Sequence, residues 1–465
     1  MNLIVICIDS LRKDHLGCFS NPWIMTPNFD RFYENSIVFE NFKMNGIPTI
    51  PFRRGMMLGR KIFPFKDTVH IPGVSKILGW QPLSHDEVTF QEILNKAGYV
   101  TGMITDVWHY FWPAYNFHRG FDSWQFIRGH EADPYMTGES FIDPDQFVNQ
   151  DLEGTKVKAF LEQYIRNFGN RSSEEDYFSP RVFRTAERWL EKNARYYENF
   201  YLYIDCFDPH EPWDPPREYR ELYDPGYRGK EIIFPMNGYN EYLTQEEIRH
   251  IRALYAGKVT MVDRWFGHFM EKFHIMGLDK DTAVLLLSDH GVGLGEHGIF
   301  KKTPAVLYPE LLEVPMMLMM PKGSREKRPV KGFVQEYDIA PTLLKLLGIE
   351  IPESMNGIDL WPLIKGEVTS QREYVVGGFH THAYLRDQRY HYFRSLKEGE
   401  EEPQLFDLEK DPGMERNIAK KDTQLVRIME ERLLEELDGW RLPEMIGKSV
   451  AQLPYEPLGK RRSQT

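Results

Sequence analysis

The sequence predicts an α/β protein whose mainly parallel sheet is sandwiched between helices. Three features predict it. Apolar runs such as "LIVICI" (3–8) and "TAVLLLSDHG" (282–291) are continuous rather than alternating, as in strands buried on both faces. Helical, amphipathic stretches separate these runs. Polar residues gather directly after the strands, where open parallel sheets hold their ligands.

In chain order, "LIVICI" opens as a buried strand. "TPNFDRFYENS" (26–36) places Thr26 as an N-cap and Pro27 at the first helical position, so a short helix starts there. "VTFQEILNKAGY" (88–99) reads as a helix ending on Gly98, followed by the strand "VTGMITD" (100–106). The helix "PRVFRTAERWLEKNARYYE" (180–198) precedes the strand "FYLYIDCFD" (200–208), and a long helix over 244–273 precedes the strand ending in "SDHG". "VPMMLMM" (314–320) reads as a core strand, because methionine fills irregular cores. The aromatic stretch "WHYFWPAYNFHRGFDSW" (108–124) leaves two readings open, a pocket wall or the packing of a long loop. "GEEEPQ" (399–404) reads as an exposed acidic turn and "GKRRSQT" (459–465) as a disordered tail. There is no internal repeat.

At 465 residues the chain exceeds one ordinary core, so a large domain with a smaller companion is expected. A net charge of -12 argues against a nucleic-acid partner, whose phosphates need clustered lysine and arginine. An anionic substrate must therefore meet a local basic pocket. Cys7, Cys18 and Cys206 form an odd set without metal-type spacing, so buried inert thiols are expected rather than disulfides. The apolar N-terminal run is shorter than a signal h-region or a membrane span of about 20 residues, so a cytoplasmic protein without a membrane partner is expected.

The strand ends carry Asp9, then Asp106, then Asp208 with His210, then Asp289 with His290. A single aspartate after a strand is usually a cap or turn residue. The Asp289-His290 pair is different, because adjacent oxygen and imidazole ligands on a loop both reach a cation. Asp9, fixed by the first buried strand, is the natural third ligand.

Seven segments in register carry a resemblance: "IDSLRKDHLGCF" (8–19), "TPNFDRF" (26–32), "TIPFR" (49–53), "FDPHEPW" (207–213), "SDHGVGLGEHGIFKKT" (288–303), "YDIAPTLLKLLGI" (337–349) and "LFDLEKDPGMERNIA" (405–419). Together they resemble the sulfatases and phosphonate monoester hydrolases of the alkaline phosphatase superfamily. The resemblance implies a catalytic domain over 1–370 and a smaller C-terminal domain over 371–465 with a four-stranded antiparallel sheet. It also implies a nucleophile at the head of a C/S-x-P-x-R motif, normally oxidised to formylglycine. Here that residue is Thr49, whose β-methyl group stops oxidation at a ketone. A threonyl ester must be cleared by water at the central atom, which suits phosphate, phosphodiester or phosphonate better than sulfate. A sulfatase working without formylglycine is the alternative, followed by a phosphoryl transferase or a catalytically dead binding protein.

Carried over by resemblance, Asp9, Thr49, Asp289 and His290 hold one divalent metal ion. With Ser10 where many sulfatases have a second aspartate, and with an imidazole in the set, manganese or zinc is favoured over calcium or magnesium. Arg53 lies beside the nucleophile and holds an anionic oxygen; Lys302, ahead of Lys301, grips the transferred group; His210 protonates or stabilises the leaving oxygen. His297 and His109 are further substrate contacts, although the lysine that accompanies His109 in sulfatases is missing. The expected partner is a small anionic ester, and a homo-oligomer is compatible with the sequence. His380 and His382 receive no role.

Overall fold

The computed structural model describes residues 1–65, 78–140, 142–149, 156–169, 171–305, 307–397, 399, 402–440 and 442. An eight-stranded sheet forms the centre. Its strands are β1 (Asn2–Ile8), β2 (Ile37–Lys43), β4 (Val100–Thr105), β5 (Ser123–Phe126), β6 (Phe200–Cys206), β8 (Thr282–Leu287), β11 (Met316–Met319) and β12 (Arg328–Gln335). They lie in the order β12-β2-β11-β8-β1-β6-β4-β5. All neighbouring pairs are parallel except those of β11, which runs antiparallel to β2 and β8. The mixed, mainly parallel sheet of the sequence reading is thus present.

The continuous apolar run of β1 follows from its place between β6 and β8. Leu3, Val5 and Cys7 enter one core, and Ile4, Ile6 and Ile8 enter the other. Each fully buried aliphatic side chain contributes about 1.5–3 kcal/mol, so neither face tolerates a polar residue until the strand ends. The methionines of β11 are buried in the same way. On the second face lie the helices Phe178–Asn193 and Gln245–Ile275, the latter started by a capping box between Thr244 and Glu247. The helix Pro27–Tyr33 begins at the expected Pro27, and Gly98 stops the helix Phe90–Lys96 with φ +87.

Several expectations need correction. The helix expected to reach residue 198 ends at Asn193, and the tyrosines beyond it are exposed. Cys7 and Cys206 are buried, but Cys18 is only partly so. The aromatic stretch divides between its two readings: Tyr110, Tyr115, Phe117 and Phe121 pack the core, whereas Trp108 and Trp112 stay half-buried. In the acidic turn Glu402 is exposed, while residues 400 and 401 and the whole tail 459–465 lie outside the described residues.

The smaller sheet has five strands, not four. Its C-terminal strands β13 (Tyr374–Phe379), β14 (His382–Asp387), β15 (Tyr390–Ser395) and β16 (Gln404–Asp407) are antiparallel, and β13 also pairs in parallel with β3 (Gly46–Ile47). The fifth strand therefore comes from the segment just before Thr49. A three-stranded sheet, β7 (Gly238–Tyr239), β10 (Ile299–Lys301) and β9 (Gly293–Leu294), completes the set. Among the described residues, no helix is long and apolar enough to cross a membrane.

Glu336, just after β12, ties the β3 segment down. Its buried carboxyl accepts the backbone N–H of Asn45 at 2.7 Å and of Gly46 at 2.8 Å, and burial pushes it up to about 8. The Asn45 side chain then accepts from the N–H of Ile62 and Phe63 at 2.9 and 2.8 Å. Glu336→Ala leaves two buried N–H groups without an acceptor and is expected to cost about 2–5 kcal/mol, read by urea denaturation. Glu336→Gln keeps one acceptor and should cost less.

Candidate active site

Four elements deliver the site. Asp9 directly follows strand β1, Asp289 and His290 follow β8 after Ser288, and β6 leads to the loop carrying His210. The helix Thr49–Leu58, buried along its whole length, brings Thr49 and Arg53 onto one face one turn apart. Thr49 stands at the first helical position, where the helix dipole favours negative charge. Its Oγ1 does not cap the helix; it lies 3.3 Å from His290 Nε2. Gly291 follows because the carbonyl oxygen of Glu310 lies 1.9 Å from where a Cβ would stand.

Arg53 is fully buried, and all five of its N–H donors have partners. Nε and Nη2 grip Asp205 in a bidentate pair at 2.8 Å each, Nη2 also reaches Asp9 at 3.1 Å, and Nη1 donates to Asp289 and to the Thr49 carbonyl oxygen at 3.2 Å. Its expected grip on a substrate oxygen is therefore not what this arrangement displays. The guanidinium instead knits the site's carboxylates to the helix that carries Thr49. Asp205, absent from the sequence reading, also accepts hydrogen bonds from Tyr203 at 2.7 Å and from Tyr110.

Asp9, Asp289 and His290 each offer a ligand atom, all within 4.8 Å of one another. Thr49 joins them through His290, so the structure brings all four expected ligands together. His290 Nδ1 lies 2.9 Å from the Gly291 carbonyl oxygen, which can only accept, so Nδ1 carries the proton and the Nε2 lone pair faces inward. That lone pair meets Asp289 Oδ2 at 3.3 Å and Asp9 Oδ1 at 3.8 Å. Burial pushes the imidazole down to about 4, so it is neutral. Burial, and then the charge of Asp289, hold Asp9 well above the usual carboxylate range. Burial acts against Asp289, but His290 and Arg53 keep it below that range. Converging lone pairs and crowded carboxylates fit a divalent cation.

Beside this cluster, His210 Nδ1 donates to the Glu211 carbonyl oxygen at 2.7 Å, and its Nε2 accepts from Lys302 Nζ at 2.8 Å. Lys302 also reaches the Glu211 carboxylate at 3.1 Å. The His210 ring stacks on Phe207 at 4.1 Å, and burial holds it well below its ordinary value. Lys301, the second of the pair, is buried over the Phe234 ring at 3.3 Å. His109 lies across Phe207 at 5.7 Å, with its Nε2 3.4 Å from Glu131. His297 is not drawn into the cluster: it stacks on Tyr308 at 3.9 Å, with Glu310 at 3.5 Å. Asp106 and Asp208 serve the fold, Asp106 accepting from Phe207 N–H at 2.7 Å and Asp208 pairing with Lys258 and, at 3.1 Å, His130. Asp205, Phe207, Glu211 and Glu131 were missed in the sequence, although a charged residue inside the apolar run "FYLYIDCF" is a signal for the first.

Solved structures share this architecture. A phosphonate monoester hydrolase from Silicibacter pomeroyi superposes with a TM-score of 0.71 at 20% identity, covering 94% of this chain and 95% of its own. A protein solved with its substrate D-glucosamine-2-N,6-O-disulfate gives 0.70 at 20% identity, covering 95% of this chain and 99% of its own. Fold and site define an ester-bond hydrolase of the alkaline phosphatase superfamily. The Sulfatase family model matches residues 1–349, and the N-sulphoglucosamine sulphohydrolase C-terminal model matches residues 295–439. The chain belongs to the sulfatase family. An arylsulfatase from Clostridium perfringens is 26% identical, covering 94% of both chains. An N-acetylglucosamine-6-O-sulfatase from Bacteroides thetaiotaomicron is 22% identical, covering 92% of this chain and 86% of its own. Members of the family generally bind a divalent metal, and the Asp9–Asp289–His290 group suits one.

Elemental analysis of the purified protein is expected to find about one divalent ion per chain. Asp289→Asn should weaken metal binding at least about tenfold, whereas Thr49→Ala, with three ligands left, should keep it.

Proposed function

We propose that the protein hydrolyses small anionic phosphate, phosphodiester or phosphonate esters through Thr49 itself. The observation that carries this is the placement of a threonine hydroxyl, which cannot become an aldehyde, at the head of a buried helix 3.3 Å from His290 Nε2. The residues would hold a manganese or zinc ion, two carboxylates and an imidazole being a poor calcium cage. Such an ion lowers the pKa of a nearby hydroxyl and polarises the ester oxygen.

The chain's own groups do the rest. Arg53 holds the Thr49 carbonyl oxygen and three carboxylates in place, so Oγ1 is oriented before substrate arrives. Thr49 Oγ1 gives its proton to solvent and bonds to phosphorus as the bond to the leaving oxygen breaks. The leaving oxygen takes its proton from the Lys302–His210 pair. Because His210 Nδ1–H is committed to a carbonyl and Nε2 accepts from Lys302, we assign the transferred proton to Lys302 Nζ, with His210 holding the lysine in place. Water then attacks phosphorus, the bond to Oγ1 breaks, and a proton of the attacking water passes to the threonine. Sulfuric ester hydrolysis is the second reading, favoured by the arylsulfatase relative.

A panel of aryl phosphates, diesters, phosphonates and sulfates should show phosphorus esters ahead of sulfates. Thr49→Ser should keep substantial activity and Thr49→Ala almost none. Intact-protein mass spectrometry after rapid acid quench should find a phosphoryl adduct on the peptide containing "TIPFR". A fully active Thr49→Ala enzyme would refute the nucleophile. Separately, His210→Ala and Lys302→Ala should slow esters with poor leaving groups about 10²- to 10⁴-fold while sparing nitrophenyl esters, which need no proton. Equal losses on both would remove the acid role.

A further inference from the structure

Glu131 sits in the loop after β5 with φ +53, a left-handed conformation that costs a non-glycine residue and that clusters at binding and catalytic sites. Its carboxyl is buried and accepts Trp108 Nε1–H at 2.7 Å. Among the described residues, its one partner within ion-pair distance is His109, which burial, then Arg53 and Lys302, hold neutral. Lys301 and Lys302 turn instead toward Glu211, at 3.9 and 3.1 Å. Burial pushes the Glu131 carboxyl up to about 7, against the Trp108 hydrogen bond and the charges of Lys302 and Lys301.

The groups around it ask for a donor. His109 Nδ1 is buried and without a protein partner, while its Nε2 stands 3.4 Å from the Glu131 carboxyl. The wall is aromatic: His109 meets Trp80 at 5.1 Å and Trp112 at 5.0 Å, and Trp108 meets Trp112 at 5.2 Å. Trp80 Nε1–H, also without a protein partner, is a donor for an oxygen on the same ligand. A buried carboxyl with no cation hydrogen-bonded to it, a buried ring nitrogen without a partner and indole rings together match an ammonium group. The cluster lies one ring from the leaving-group acid, since Phe207 touches both His109 and His210.

We propose that Glu131, His109, Trp80, Trp108 and Trp112 form a second binding site, beside the Lys302–His210 pair, for a protonated amine carried on the alcohol portion of the ester. This site rests on the hydrolase reading for its place in a reaction, but not for its binding.

The test uses the full-length protein, 2-aminoethanol and its neutral isostere 1-propanol, with binding followed by tryptophan fluorescence and no ester present. The amine should bind at least about tenfold more tightly than the alcohol. Glu131→Gln should reduce the preference to about threefold or less, and Trp112→Ala, which keeps the carboxyl, should weaken the amine several-fold. Equal binding of the two probes, or an undiminished preference in Glu131→Gln with native circular dichroism, would overturn the proposal. Amine preference without ester hydrolysis leaves this site standing and removes the hydrolase reading; hydrolysis without amine preference does the reverse.

Discussion

The buried guanidinium of Arg53 is the constraint on which the rest of the site depends. One positive charge faces Asp9, Asp205 and Asp289, none of which touches solvent. A buried charge left unpaired costs several kcal/mol, so each partner's position is fixed by the others. Because Arg53 is one turn from Thr49, the same contacts set the rotation of the helix that presents the hydroxyl. Three carboxylates against one guanidinium also leave negative charge to spare at Asp9 and Asp289. That surplus suits the cluster to a divalent cation.

A second layer places His210 and Lys302. The loop after β6 carries His210 and Glu211 and is braced beneath by Asp208, Lys258 and His130. Phe207, stacked on His210, touches His109 and His130 with its other contacts. Chemistry at one end of this loop and packing at the other are thus joined through a single aromatic ring.

Much of this was legible in the sequence, for a physical reason. Strands buried on both faces admit no polar residue, so β1, β6 and β8 stand out as runs and the polar residues after them mark the sheet's working edge. Asp9, Thr49, Asp289, His290, His210 and Lys302 were all readable there or through the family's motifs. Asp205 was hidden because it lies inside such a run, where its tolerance depends on Arg53 from 152 residues away. Glu131 was hidden because a loop glutamate carries no periodic or motif signal; only its burial and partners set it apart. The fifth strand of the smaller sheet was missed because two residues, Gly46 and Ile47, are too few to show alternation.

That short strand has an architectural consequence. Gly46–Ile47 pairs with β13 of the C-terminal sheet, and Thr49 follows two residues later. The helix headed by Thr49 is therefore slung between two sheets, one reached through Arg53 and the other through β3. A segment that carries none of the reacting groups becomes part of the scaffold that aims them. Exchanging this C-terminal sheet for another would move the edge on which β3 rests, and with it the Thr49 hydroxyl.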